Sequence, residues 1–171
     1  PVTADQPTIL ATSATFRSGS EGLFDLRPGP IHHLAADLAG GGDARICLLY
    51  QAGGDQQSWI GAAYAAFAGS RFRASHLTLF PRPNVEDVRG HLLNQDVIWV
   101  GGGSVANLCA VWRVHGVDEI LYEAWQSGVV LGGVSAGSIC WHAGGTTDSF
   151  GRTLRGFTDG LGWLPYSNGV H

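Results

Sequence analysis

Gly128-Val129-Val130-Leu131-Gly132-Gly133-Val134-Ser135-Ala136-Gly137 is the stretch that decides how this chain is read. Its first half is an apolar run of strand length, and its last five residues follow a G-x-S-x-G pattern. A buried strand ending in that pattern turns sharply into a helix, with the serine at the apex. The turn lifts the hydroxyl above the sheet edge and aims backbone N–H groups at the same point. Small residues flank it because the turn is strained and the next helix packs close to the strand. An ordinary glycine-rich turn that happens to carry a serine has the same pattern, so the rest of the chain must discriminate.

Outward from this stretch, strand and helix signals alternate. Residues 8–12, 44–50, 75–80, 96–100 and 129–134 read as short apolar strands. Residues 31–38, 59–67, 85–93, 105–114 and 117–126 carry helical apolar spacing between them. Strands separated by helices predict a parallel sheet covered on both faces. The expected architecture is an α/β three-layer sandwich with a mostly parallel central sheet and right-handed crossovers. Ligands of such sheets bind at the carboxyl ends of the strands. The Ser135 turn and the Gly101-Gly102-Gly103 loop both follow strands directly and are expected there. No repeat or linker interrupts the chain, so residues 1–171 read as one domain.

Composition narrows the function classes. Of 171 residues, 44% are hydrophobic, which suits a globular chain and argues against disorder. The net charge of −4 gives no footing for nucleic acid. No apolar run is long enough to span a membrane. Charged residues reach only 14%, which agrees with a surface partly covered by a second copy, a possible homodimer. Nothing resembles a signal peptide, and three scattered cysteines, Cys47, Cys109 and Cys140, lie in apolar contexts without metal spacing. They read as free thiols of a cytoplasmic protein. Cys140 as a nucleophile is the weaker alternative, since it is expected inside the helix after the turn. Neither a metal nor a cofactor is implied. The chain starts at Pro1 and lacks methionine, so its native start is not fixed by this sequence.

A serine nucleophile needs a base, and the base needs a partner that orients it. Downstream of Ser135 lie His142, Asp148, Asp159 and His171. Asp148 is in a stretch that reads as a loop by composition, residues 144–151. The order Ser, Asp, His is that of α/β-hydrolases, but the spacing is too short for that fold. A tetrahedral intermediate needs two N–H donors for its oxyanion. The amide of Ala136 is one candidate; Gly102 or Gly103 is the other. The alternative for Gly101-Gly102-Gly103-Ser104, a phosphate cradle, lacks the Walker lysine. His142 is expected on the helix after the turn, pointing away, and the other upstream histidines read as structural or surface groups. Arg152 and Arg155 are the nearest cations that could meet a substrate carboxylate, against the plainer reading of solvated loop charges.

Several segments together resemble the peptidase E (aspartyl dipeptidase) family of serine peptidases. Val97-Ile98-Trp99-Val100-Gly101-Gly102-Gly103-Ser104 is similar to that family's V-G-G-G-N segment, with Ser104 in place of Asn. Gly133-Val134-Ser135-Ala136-Gly137, Thr147-Asp148-Ser149-Phe150-Gly151 and Asp159-Gly160-Leu161-Gly162-Trp163-Leu164-Pro165 followed by His171 resemble three more, with Val170 where the family has Pro. The resemblance implies a class I glutamine-amidotransferase-like, flavodoxin-like fold. It places the nucleophile on Ser135, the base on His171 and the acidic member most simply on Asp148, with Glu123 in reserve. It implies small peptide substrates, dipeptides with N-terminal aspartate, and an acyl-enzyme. Family members continue past the histidine, so the chain reads as lacking their C-terminal segment. A binding module without catalysis, and an esterase or amidase with the same serine, are the alternative readings.

Overall fold

The computed structural model describes residues 4–19 and 25–170. The chain runs from β1 (Ile9–Thr12) through a small hairpin, β2 (Arg17–Ser18) and β3 (Leu26–Arg27), into α1 (Pro30–Leu38). Next come β4 (Ala44–Leu49), a 3-10 turn (Gln51–Gly53), α2 (Gln57–Phe67), β5 (Phe72–Leu77) and α3 (Val88–Leu93). β6 (Val97–Val100), α4 (Val105–His115), α5 (Val117–Gln126), β7 (Val130–Val134) and α6 (Ala136–Ile139) follow. β8 (His142–Thr147), β9 (Arg155–Phe157) and β10 (Leu164–Asn168) close the order.

The central sheet has five strands in the order β1-β7-β6-β4-β5, and every pair is parallel. This is the expected α/β sandwich. Alternate strand residues divide between two layers, as the period of two requires. Cys47, Leu49, Ile98, Val100 and Leu131 pack with Leu108, Trp112 and Leu121 of α4 and α5. Ile46, Leu48, Val97, Trp99 and Val130 pack with Ala35 and Ala36 of α1 and Ala63 and Phe67 of α2. β4 leads outward to β5 through α2, whereas β6 leads the other way to β7 through α4 and α5. Their adjoining ends form a topological switch point, where open parallel sheets bind ligands. The loops there are Tyr50–Asp55 and Gly101–Gly103.

Local chemistry explains where the elements start and stop. Ser104 caps α4, its Oγ accepting from Asn107 N at 3.1 Å, and Gly116 ends it in the left-handed region. β5 begins three residues before the expected strand at 75–80 and stops at Leu77. The Asp55 carboxylate takes the N–H groups of Leu79 (2.6 Å) and Phe80 (3.1 Å), donors that a longer strand would have used. α3 begins at Val88 rather than residue 85, because Asp87 caps it through Gly90 N at 2.7 Å.

The larger corrections lie downstream of Ser135. α6 is a single turn, and Cys140 caps its end rather than sitting inside a longer helix. Cys140 is wholly buried, and burial holds its thiol well above the usual range, which removes it as a nucleophile. His142 lies at the start of β8 rather than on a helix. Part of the stretch expected as a loop at 144–151 is strand: β8 pairs in parallel with β10 and antiparallel with β9. The strand tolerates its glycines because they are required. A Cβ on Gly145 would sit 2.1 Å from Asn168 O, and one on Gly144 1.9 Å from Phe157 O.

Candidate active site

Ser135 follows β7 with φ 55° and ψ −115°, a left-handed region that is costly for a residue with a Cβ. The strain persists because the backbone around it cannot move. A Cβ on Gly133 would come within 2.3 Å of Gly137 O, and one on Gly137 within 2.3 Å of Val100 O. Strand β7, the first turn of α6 and the end of β6 therefore touch backbone to backbone. Ser138 N and Ile139 N both donate to Ser135 O at 2.9 Å, which closes the turn. Ala136 is the first residue of α6, so its N–H has no acceptor within the helix.

The Gly101–Gly103 loop lies beside this turn. Gly101 N continues the ladder to Leu49 O at 2.9 Å, and Ser104 N donates to Ala52 O at 2.9 Å. Among the described residues, Gly102 N and Gly103 N have no protein acceptor. A Cβ on Gly102 would lie 3.4 Å from Ser135 Cβ and 3.8 Å from its Oγ. Gly103, at φ 133°, packs so tightly that its Cβ would meet Ala52 O at 2.3 Å. Ser135, Gly102 and Gly103 share the wall of one cavity of about 430 Å³.

A buried polar network that the sequence did not single out supports the loop from below. Trp112 Nε1 donates to Gln51 Oε1 (3.2 Å), and Gln51 Nε2 donates to Asp55 Oδ1 (3.0 Å) and Leu77 O (2.6 Å). Gln51 is 1% exposed and Asp55 5%. Burial pushes the Asp55 carboxyl up, against the three hydrogen bonds that favour its charged form. The network fixes the turn 51–55, whose Ala52 carbonyl holds Ser104.

His171 lies outside the described residues. The chain that leads to it is well placed. Val170 is buried, and Ser13 Oγ donates to Val170 O at 2.8 Å. Thr12 pairs with Val134, so Ser13 and Ser135 leave neighbouring strands at the same sheet edge. Asn168 Nδ2 also donates to Ser138 Oγ at 2.8 Å, tying β10 to the turn after the serine.

The remaining candidates are spread out. Asp148 is exposed at the corner between β8 and β9. Its neighbours Thr147 and Ser149 bond to each other (Oγ1 to Oγ, 2.8 Å), and Ala106 N in the first turn of α4 reaches Ser149 Oγ at 3.5 Å. The corner thus rests on the helix that begins at the glycine loop. Arg152 and Arg155 are exposed beyond it, and among the described residues neither makes an ion pair. Glu123 is paired with Arg89 of α3, whose Nε donates at 2.9 Å, so its carboxylate is engaged on the outer helical layer. Arg113 is likewise occupied, by Asp159 at 2.8 Å. His32 is a core residue: burial, with the neighbouring His33, pushes it down to about 4. Among the described residues no helix is long and apolar enough to cross a membrane, and no cluster of His, Cys, Asp and Glu could hold a metal ion.

Fold and serine turn together define an α/β domain of the kind the motifs suggested. The profile of peptidase family S51 matches residues 10–167, and the chain belongs to that family. It is 48% identical over 107 residues to the uncharacterized peptidase YgaJ of Bacillus subtilis (strain 168), covering 63% of this chain and 46% of that protein. A crystal structure of a peptidase from an acI-B1 Actinobacterium superposes with a TM-score of 0.58 at 16% identity, covering 90% of this chain and 62% of the other. A candidate peptidase E protein from Listeria monocytogenes EGD-e gives 0.52 at 18% identity, covering 65% and 56%. These two likenesses speak to the fold. The chain spans less than two thirds of the length of each of the three.

Proposed function

We propose that this domain is a serine peptidase acting on small peptides, with Ser135 as nucleophile. The observation that carries the reading is the strained Ser135 beside two open N–H groups of the glycine loop, at one end of a cavity. In this reading the His171 imidazole takes the Ser135 Oγ proton while Oγ attacks the scissile carbonyl carbon. The N–H of Ala136 and that of Gly102 or Gly103 receive the developing oxyanion. His171 returns the proton to the leaving amine, the C–N bond breaks, and an acyl-serine remains. Water, deprotonated by the same imidazole, releases the acid and restores Ser135. Asp148 would orient the histidine. Family membership and the delivery of Val170 to the edge that carries Ser135 support the assignment of His171.

Preference for an N-terminal aspartate would need a cation at the site. Arg152 and Arg155 are the candidates for that role, and they stand at the exposed β8–β9 corner, off the cavity wall. The decisive experiment is mass spectrometry after treatment with a fluorophosphonate, with Ser135→Ala as control. One adduct, on Ser135, is expected. Absence of any adduct with the fold intact would sink the nucleophile assignment and favour a binding module.

A further inference from the structure

We propose that the cavity beside Ser135 is a subsite for an apolar side chain, of the size of Leu or Phe, at one of the two positions flanking the scissile bond. This rests on the reading of Ser135 as the nucleophile. The cavity, about 430 Å³, falls within the range of small-ligand pockets, about 300–1,000 Å³. Its lining is mostly apolar, with Phe16, Leu26, Tyr50, Trp59, Ala63 and Trp99, while Thr15 and Gln56 add uncharged polar side chains. Among the described residues no charged side chain lines it.

The nearby cations are turned away by the strand register. In the β2–β3 hairpin, Ser18 lies opposite Leu26 and Arg17 opposite Arg27. Neighbouring strand residues point to opposite faces, so the face that brings Leu26 to the cavity carries both arginines off it. Arg27 is further occupied by Asp25 at 2.9 Å. The aromatic wall is also fixed in place. The Tyr50 ring fills the space a Cβ on Gly101 would need, at 2.4 Å, and burial holds its phenol neutral, pushed up to about 12. A carboxylate or guanidinium entering this space would lose water and meet no counter-charge among the described residues. An apolar side chain would gain by leaving water.

The test is a dipeptide panel with Phe, Leu, Asp or Arg at each position in turn and Ala at the other. At one position Phe and Leu should exceed Asp and Arg by about 10- to 100-fold in kcat/KM. Ala62→Arg, at an exposed helix position on the cavity wall, should shrink that preference and raise the Asp substrate. The same peptides are titrated into Ser135→Ala by tryptophan fluorescence, which reads the subsite without catalysis. Ser135 labelling with no apolar preference at either position overturns the subsite and leaves the peptidase reading standing. Apolar preference in binding without any labelling does the reverse. No binding of either peptide class also overturns the subsite.

Discussion

The end of β7 and the corner after β8 both carry a proposed catalytic group, and they are held in different ways. At the end of β7 backbone meets backbone: Gly133 against Gly137, Gly137 against Val100, with no room for one methyl group. At the corner, Asp148 is exposed, and hydroxyls of Thr147 and Ser149 do the holding. Atoms that must meet a reacting carbonyl need placement that survives thermal motion, and close-packed backbone supplies it. A group that only orients another can sit on a softer, solvated support.

The largest effect should come from Ser135→Ala, which should lower kcat by roughly 10⁴- to 10⁶-fold without loss of fold, as read by hydrolysis and circular dichroism. Ser135→Gly should be equally inactive yet about 1 kcal/mol more stable, because glycine tolerates φ 55°. Instability of the glycine variant would mean that the turn stores no strain. Gly137→Val attacks the rigid region directly. Its Cβ would overlap the Val100 carbonyl, so a loss of about 3 kcal/mol or more is expected in denaturant unfolding. A fully stable valine variant would show α6 and the end of β6 to be less tightly joined than described.

Acid should act through the other face of the sheet, sparing both regions. His32 is buried neutral, pushed down to about 4 from 6.5, so the unfolded chain binds the extra proton between those values. Stability therefore falls as pH drops from 6.5 to 4, by about 2–3 kcal/mol. A denaturant midpoint that holds steady between pH 7 and 4.5 would contradict this, and His32→Phe should flatten the dependence. Asp148→Asn should be mildest: stability within about 0.5 kcal/mol, with kcat down about 10- to 100-fold. Unchanged kcat would pass the orienting role to another carboxylate.

The same contrast governs what the sequence disclosed. β4, β6 and β7 were readable because strands buried on both faces are continuous apolar runs. α5 was found at its expected bounds, since its apolar stripe is regular. β8 was not readable. His142-Ala143-Gly144-Gly145-Thr146-Thr147 has the composition of a loop, and only contact with Phe157 and Asn168 makes its glycines part of a sheet. The Gln51–Asp55–Trp112 network was missed because Trp112 is 61 residues from Gln51 and no local pattern joins it to the turn.

What the sequence determined by itself is the layered α/β architecture, the strained serine turn and the glycine loop beside it, all local patterns set by periodicity and by where a Cβ cannot fit. What only the tertiary structure decided is how the pieces face one another: the open N–H groups of Gly102 and Gly103 beside Ser135, the apolar cavity there, and the outward turn of Arg17 and Arg27. Those depend on strand order and register, which arise from contacts between distant residues and leave no mark on any short stretch of chain.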